Sequence, residues 1–575
     1  MNFKQLLYLI LILFSPLTLS IPLNNLIPSL HPRQSCENTP TSRNCWGEFS
    51  TSTNYYDVTP TTNVTREYWL SVQQGPCAPD GHQRTCMTFN GTIPGPTLIA
   101  DWGDNLIIHV TNNLPQNGTS IHWHGIRQFG NSLNDGVPGV TQCAIPPNET
   151  MTYRFRVTQY GSTWYHSHFS LQYSEGLFGG MIFNGPTTAN YDVDLGNLFL
   201  QDWGHTEVFK LWNTAKMGAP PILDGGLVNG TNTCQGDGCV DAGSRFEVVF
   251  EQGQKYLLRL VNVAVDGVFQ FSIDGHGLTV VGHDLIPVIP YTAESVELSV
   301  GQRVDVIVEA NAAPGNYWLR AGWINNCAAN GSPEEMTGIV RYNARSEDDP
   351  TSESTVTPST SCLGEPSGVG VPAVSIDVEN FSGGTTRENL GFTIDGYFKW
   401  TINTSSLVLD WGNPTLEKIF AGEDIFPTEY NVVSVEPSGS GLPEWQVLVI
   451  QDASMIGISH PIHLHGHDFW VLAQETGMFN GSTSGFNTAN PSRRDTATLP
   501  DNGYLAIAFL LDNPGAWLVH CHIAWHASQG LSLEFVESQD AIEGAVPEVD
   551  MQEFERVCAS WDSWTPIWEQ DDSGI

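Results

Sequence analysis

Five H-x-H pairs can be drawn among the 17 histidines of this 575-residue chain: His122/His124, His166/His168, His463/His465, His465/His467 and His520/His522. Random placement at that frequency gives roughly 0.5 such pairs, so the pattern has a cause. Side chains at i and i+2 of a strand leave the same face, and each pair therefore aims two imidazoles at one point. Converging imidazoles make a transition-metal site, and they suit copper and zinc alike. Cys521 separates the two metals. As the middle residue of His520-Cys521-His522 it leaves the strand on the opposite face from its neighbours. One thiolate with two imidazoles is the ligand set of a blue-copper centre, trigonal with a weak axial position. His526 offers an imidazole from the same loop, and His460 of HPIHLHGH can offer the other. Leu531 falls where such sites carry an axial methionine; without a donor atom it leaves three ligands and a raised potential.

Eight of the nine paired imidazoles, His122, His124, His166, His168, His463, His465, His520 and His522, form a second, shared site. Cys521 is covalently adjacent to two of them, and the path through one neighbour spans on the order of 10 Å, a short bonded route for electrons. With Cys521 used as a ligand, the other ten of 11 cysteines are an even set, suited to an oxidising compartment.

Strands must hold these pairs, and the sequence repeats the elements that do so. GSTWYHSHFSLQYSEGLFGG (161–180) parallels GAWLVHCHIAWHASQGLSLE (515–534), and IHWHG (121–125) parallels IHLHG (462–466). In the first copy the counterparts of Cys521, His526 and His460 are Ser167, Gln172 and Thr119. The mononuclear site therefore belongs to the last copy alone, and the eight-imidazole site lies between the two copies. Short β-rich runs such as NLIIHV, VDVIVEA and YLAIAFLL, punctuated by 56 glycines and 35 prolines, predict an all-β chain of several sandwiches or barrels. Residues 346–372, rich in Ser, Thr and Pro, read as an interdomain linker.

HWHG, WYHSH, HPIHLHGH and HCHIAWHASQGL resemble the four copper signatures of the multicopper oxidases. The leucine-ended last signature, RRDT at 493–496 and the terminal DSGI are similar to ascomycete-type fungal laccases. The resemblance implies three cupredoxin-like domains of Greek-key β-sandwich or barrel type, at 34–190, 191–345 and 373–575. It implies four copper ions: type 1 on His460, Cys521 and His526; type 2 on His122 and His463; and a type 3 pair on His124, His166, His168, His465, His520 and His522. The implied donors are phenols or aromatic amines, giving electrons through His526, and the acceptor is dioxygen. Asp135 and Asp495 become proton relays, against the blander readings of a turn residue and a partner for Arg493 or Arg494. The family pattern suggests Cys36–Cys45, Cys143–Cys558 and Cys327–Cys362; proximity and elimination leave Cys77–Cys86 and Cys234–Cys239. It also implies that the tail Asp572–Ile575 enters a solvent channel near the shared site. Relatives place a substrate-binding acid in a second-domain loop, for which Asp241 is the nearest candidate.

Lys4, the apolar run Leu6–Phe14 and small residues at Thr18 and Ser20 read as a secretory signal over 1–20, with a possible propeptide over 21–33. Nine sequons (Asn63, Asn90, Asn117, Asn148, Asn229, Asn330, Asn380, Asn403, Asn480) fit a glycosylated extracellular monomer. A net charge of −39 argues against nucleic-acid and anionic-membrane partners. Outside the ligand set, His31, His82, His109, His205, His276, His283 and His467 read as structural or surface residues, and Trp203 and Trp525 as core or pocket wall. Three rivals remain: ascorbate oxidase, which carries methionine at the Leu531 position, a secreted ferroxidase, and a non-enzymatic copper carrier.

Overall fold

The segment NLIIHVTN forms the strand Asn105–Asn112, in which Leu106, Ile108 and Val110 are buried between more exposed neighbours. This period of two puts one face on a core and the other toward solvent. Trp445–Asp452 is instead buried at every position, as expected of a strand covered on both faces. The computed structural model describes residues 36–234, 238–366, 368–379, 385–439, 444–564 and 570–575. The expected signal and propeptide, His31 and the sequon at Asn380 lie outside them.

Six larger sheets pair into three sandwiches. The first combines a sheet in the order Gly95–Asp101, Phe178–Asn184, Gly161–Ser167, Ile121–Trp123 with one built from Arg84–Phe89, Thr65–Cys77, Asn105–Asn112 and Thr150–Arg156. Side chains from both, including Val72, Phe89, Ile108, Trp123 and Tyr165, fill one apolar cluster. The middle and last sandwiches each pack a six-stranded sheet on a five-stranded one. In the last, the five-stranded sheet runs Val432–Val435, Ser532–Glu537, Gly515–Cys521, His460–Leu464, Thr496–Leu499. Its first four strands repeat the first sandwich's pattern of one parallel and two antiparallel pairings. The repeat seen in the sequence is thus a repeat of the sheet that carries the histidines.

Residues 346–372 contain neither helix nor strand among those described, yet they do not hang free between domains. Ser352 Oγ donates to Asp274 Oδ2 at 2.8 Å, and Glu365 accepts from Tyr291 Oη at 3.1 Å and from the Glu297 amide at 2.7 Å. With Cys362 bonded to Cys327, the segment is a strap on the middle sandwich. Cys36–Cys45, Cys77–Cys86 and Cys234–Cys239 are local bridges, and Cys143–Cys558 joins helix Glu548–Ser563 to the first sandwich across 415 residues. No helix among the described residues is long and apolar enough to cross a membrane.

Glu534 sits fully buried on Ser532–Glu537, where Thr415 Oγ1 donates to it at 2.7 Å. Burial pushes its carboxyl up to about 8, above the unfolded value, so its contribution to stability is present in acid and lost as pH rises toward 8. Glu534→Gln, which cannot ionise, is expected to flatten the fall of the unfolding temperature between about pH 5 and 8. An equally steep fall in the variant would count against a neutral Glu534.

Candidate metal centre

Strand register brings the pairs face to face. His122 lies opposite His166 in the first sandwich, and His463 opposite His520 in the last. The histidine-bearing strand ends of the two sheets then meet: the His124 and His463 rings stack at 3.9 Å between centroids, and His122 and His465 lie 4.0 Å apart. All eight imidazoles are buried. In four of them Nδ1 faces a backbone oxygen: His122 to Asp135 at 2.8 Å, His166 to Ser167 at 3.0 Å, His463 to Asp495 at 2.7 Å and His520 to Cys521 at 2.9 Å. A carbonyl only accepts, so the proton sits on Nδ1 and Nε2 is left with a bare lone pair. Those four Nε2 atoms, with Nε2 of His465 and both nitrogens of His168, have no hydrogen-bond partner. Buried polar atoms are seldom orphaned without a reason, and converging imidazole lone pairs fit a metal.

The protonation state agrees. Burial first, and then neighbouring imidazoles, hold His124, His166, His168, His463, His465 and His522 well below the ordinary histidine range; burial takes His520 down to about 4. Neutral imidazole is the form that binds a cation. Several of these nitrogens group within metal-binding reach: His122, His124 and His166; His122, His463 and His465; His168, His465 and His520.

Asp135 and Asp495 both lie in this wall. Asp135 follows the short turn Ser132–Asn134; its Oδ2 is 2.9 Å from His465 Nδ1, while its own carbonyl takes His122. Gly136 holds φ +90° beside the Ile121 carbonyl, where a Cβ would collide, so only glycine lets the loop approach. Asp495 Oδ1 lies 3.2 Å from His124 Nε2 and accepts from Thr496 Oγ1 at 3.0 Å. Its cationic partner is neither neighbour expected from the sequence. Strand alternation sends Arg493 to Asp468 and Arg494 to Asp284, and the guanidinium that grips Asp495 is Arg303 of the middle sandwich, at 2.6 Å for Nη1. Burial pushes the Asp495 carboxyl upward and Arg303 opposes it. Arg303 was illegible in sequence because 192 residues separate it from its partner.

On the opposite face of the same strand, Cys521 Sγ lies 3.7 Å from His460 Nδ1 and 3.6 Å from His526 Nδ1, with the two nitrogens 3.1 Å apart. A point equidistant from all three atoms is about 2.0 Å from each, near ordinary metal–nitrogen and metal–sulfur bond lengths of about 2.0–2.3 Å. Burial lowers His460 to about 3 and raises the Cys521 thiol strongly, so a thiolate here requires a bound cation. The short helix Ala524–Ser528 places His526, and Gly530, at φ +86°, turns the chain so that the Leu531 carbonyl meets the Cys521 amide at 3.1 Å. Leu531 is fully buried beside the site, and Trp400, absent from the sequence reading, packs edge-on against His460 and His526 at 4.9 and 5.0 Å.

The first sandwich copies this geometry without the ligands. Ser167 takes the Leu177 carbonyl at 3.0 Å, as Cys521 takes Leu531. There Thr119 Oγ1 and Ser167 Oγ both donate to Gln172 Oε1 at 2.8 Å, closing a neutral hydrogen-bonded cluster where the other copy converges on a metal-sized gap.

Ile575 reaches a small cavity lined by His166, His168, His520 and His522. The tail is held by Ser573 Oγ donating to the Ala527 carbonyl at 2.7 Å, Trp411 Nε1 donating to the Gly574 carbonyl at 2.7 Å, and Ser170 Oγ donating to the Asp572 carboxylate. Asp241 accepts from the Gly243 amide in its own loop and does not line the recess at His526. His109, His205 and His467 face carboxylates, His276 and His283 face tyrosines, and His82 stacks on His205.

Multicopper oxidase family models match residues 71–188, 196–345 and 402–541, one on each sandwich. Laccase-2 of Botryotinia fuckeliana is 56% identical over 95% of this chain and 95% of its own, and Laccase-1 of the same fungus is 53% identical over 97% of each. The crystal structure of a laccase from Botrytis aclada superposes with a TM-score of 0.91 at 57% identity, covering 94% of this chain and all of that one. Fet3p, a multicopper oxidase that functions in iron import, matches at 25% identity and a TM-score of 0.76 over 89% and 99% of the two chains. Lone pairs that fit metal, a thiolate that demands one and these matches along the whole fold agree: the chain belongs to the multicopper oxidase family, copper oxidoreductases that pass electrons to dioxygen.

Proposed function

We propose that this chain is a secreted laccase that oxidises phenols and aromatic amines by single-electron steps. The observation that carries the reading is the strand Gly515–Cys521: its end supplies the Cys521 thiolate to one site and His520 to the other. His460, Cys521 and His526 hold the type 1 ion. His122 and His463 hold type 2; His124, His166, His168, His465, His520 and His522 hold the type 3 pair. When bound, copper supplies one-electron transfer at the first site and reduction of dioxygen to two waters at the second. The residues do the rest. His526 lines a shallow recess walled by Phe398, Trp400, Ile458 and Trp525, against which the ring of an aromatic donor can lie. Asp135 and Asp495, in contact with His465 and His124, are placed to hold protons for the shared site. The leader 1–20 and the oxidising-compartment disulfides support export.

Oxygen uptake with a methoxyphenol, ascorbate and ferrous ion tests the reading. Uptake should be fastest with the phenol; preference for ascorbate or iron would replace laccase by ascorbate oxidase or ferroxidase, and no uptake by a copper carrier. Leu531→Met should lower the type 1 potential by adding an axial donor that favours the oxidised ion. A potential equal to the parent's would remove Leu531 from the axial position.

A further inference from the structure

The recess at His526 opens onto an apolar face that solvent would not be expected to wet. It begins on the hairpin Thr385–Asp395/Tyr397–Ile402, where Phe392 is opposite Trp400 and Ile394 opposite Phe398, so these four share one side. Charged and polar residues take the other side, where Lys399 sits 4.8 Å over the Tyr397 ring and 3.7 Å from Asp395. Exposure rises outward from the metal site: Trp400 is 2% exposed, Phe392, stacked on Phe398 at 5.3 Å, 45%, and Ile394 75%. Two loops that wall the recess also carry exposed apolar side chains. Met455, 86% exposed, precedes Ile456 of the recess wall, and Met217, 65% exposed, precedes Gly218, which lies against the Phe398 ring. Scattered surface apolar residues are ordinary; a contiguous set joined to a cavity marks a binding surface.

Charge restricts what can cover it. A chain of net charge −39 repels a second copy and an anionic lipid surface, whereas a neutral aromatic molecule meets no such barrier. Continuity with the recess requires a ligand that can reach His526 and still extend outward. We propose that this face is a platform for the second aromatic ring of a dimeric or larger apolar phenol whose first ring occupies the recess. The proposal rests on the phenol-oxidising reading above and extends it from a monophenol to linked phenols. Flexible methionine at the rim suits rings of varied shape.

The test compares kcat/KM of the copper-loaded enzyme on a monomeric methoxyphenol and on its biphenyl-linked dimer, in the parent and in Ile394→Ser, Met455→Ser and the double variant. Because each variant's dimer-to-monomer ratio is divided by the parent's, the intrinsic reactivity of the two substrates cancels. The dimer-to-monomer ratio should fall about tenfold in the double variant, carried by KM, as expected from loss of about 60 Å² of apolar contact. A ratio equal to the parent's overturns the platform. So does a parent that sediments as a dimer and becomes monomeric in the variants with the ratio unchanged, because the face would then join two copies. Failure of the parent to oxidise either phenol would overturn the laccase reading itself and the platform with it.

Discussion

Cys521→Ser is expected to abolish the intense blue absorption and to stop oxygen uptake, while leaving the protein folded. Serine is nearly isosteric, and the strand Gly515–Cys521 keeps its backbone partners at Ile462 and Leu531. What disappears is the sulfur that closes the triangle with His460 and His526. Removing a residue that merely orients a metal ligand lowers function by roughly 10–100-fold, so loss of the ligand itself should exceed that, on the order of 10³-fold or more. Metal analysis should find one copper fewer per chain, with the shared site still loaded. The first sandwich already displays the outcome: its serine, Ser167, sits in a closed hydrogen-bonded cluster with Gln172. A blue and active serine variant would remove Cys521 from the ligand set.

The second large effect lies at Arg303. This guanidinium is fully buried and grips the Asp495 carboxylate, with Asp284 at 3.4 Å. Asp284 keeps Arg494, but Asp495 has no second arginine among the pairs formed by the described residues. Arg303→Met keeps most of the volume and strands a buried carboxylate, which destabilises by about 3–5 kcal/mol. Arg303→Lys keeps the charge but loses the two-pronged geometry, and should fall between the two. Thermal unfolding of the copper-free proteins orders the three; an unshifted midpoint in the methionine variant would show that Asp495 accommodates its loss. The same variant should weaken copper binding at the shared site, because Asp495 faces His124 and its carbonyl fixes the His463 tautomer.

The clustering of the histidines around Cys521 was legible because metal chemistry imposes spacing. H-x-H is readable on any strand, and the odd cysteine announced itself against an even set. The repeat was equally plain, since both copies must turn the chain at a left-handed glycine, Gly176 or Gly530, before leucine. Interactions without a local period stayed hidden. Arg303 carries no motif, Trp400 reads as one aromatic among many, and the Ser/Thr/Pro composition of 346–372 conceals bonds that side chains make only once the middle sandwich exists. The pairing of Asp495 was misjudged because adjacency in sequence is a poor guide on a strand, where neighbours face apart.

Division of the eight imidazoles between the first and last sandwiches has a consequence for how the protein is made. On the ribosome, His168 emerges roughly 300 residues before His463. At synthesis rates of about 5–20 residues per second, half of the cage waits about 15–60 s before the other half begins to emerge. Metallation of that cage must therefore follow the final stages of translation, and a nascent polypeptide can acquire its full copper complement only after its two distant ends have closed on each other.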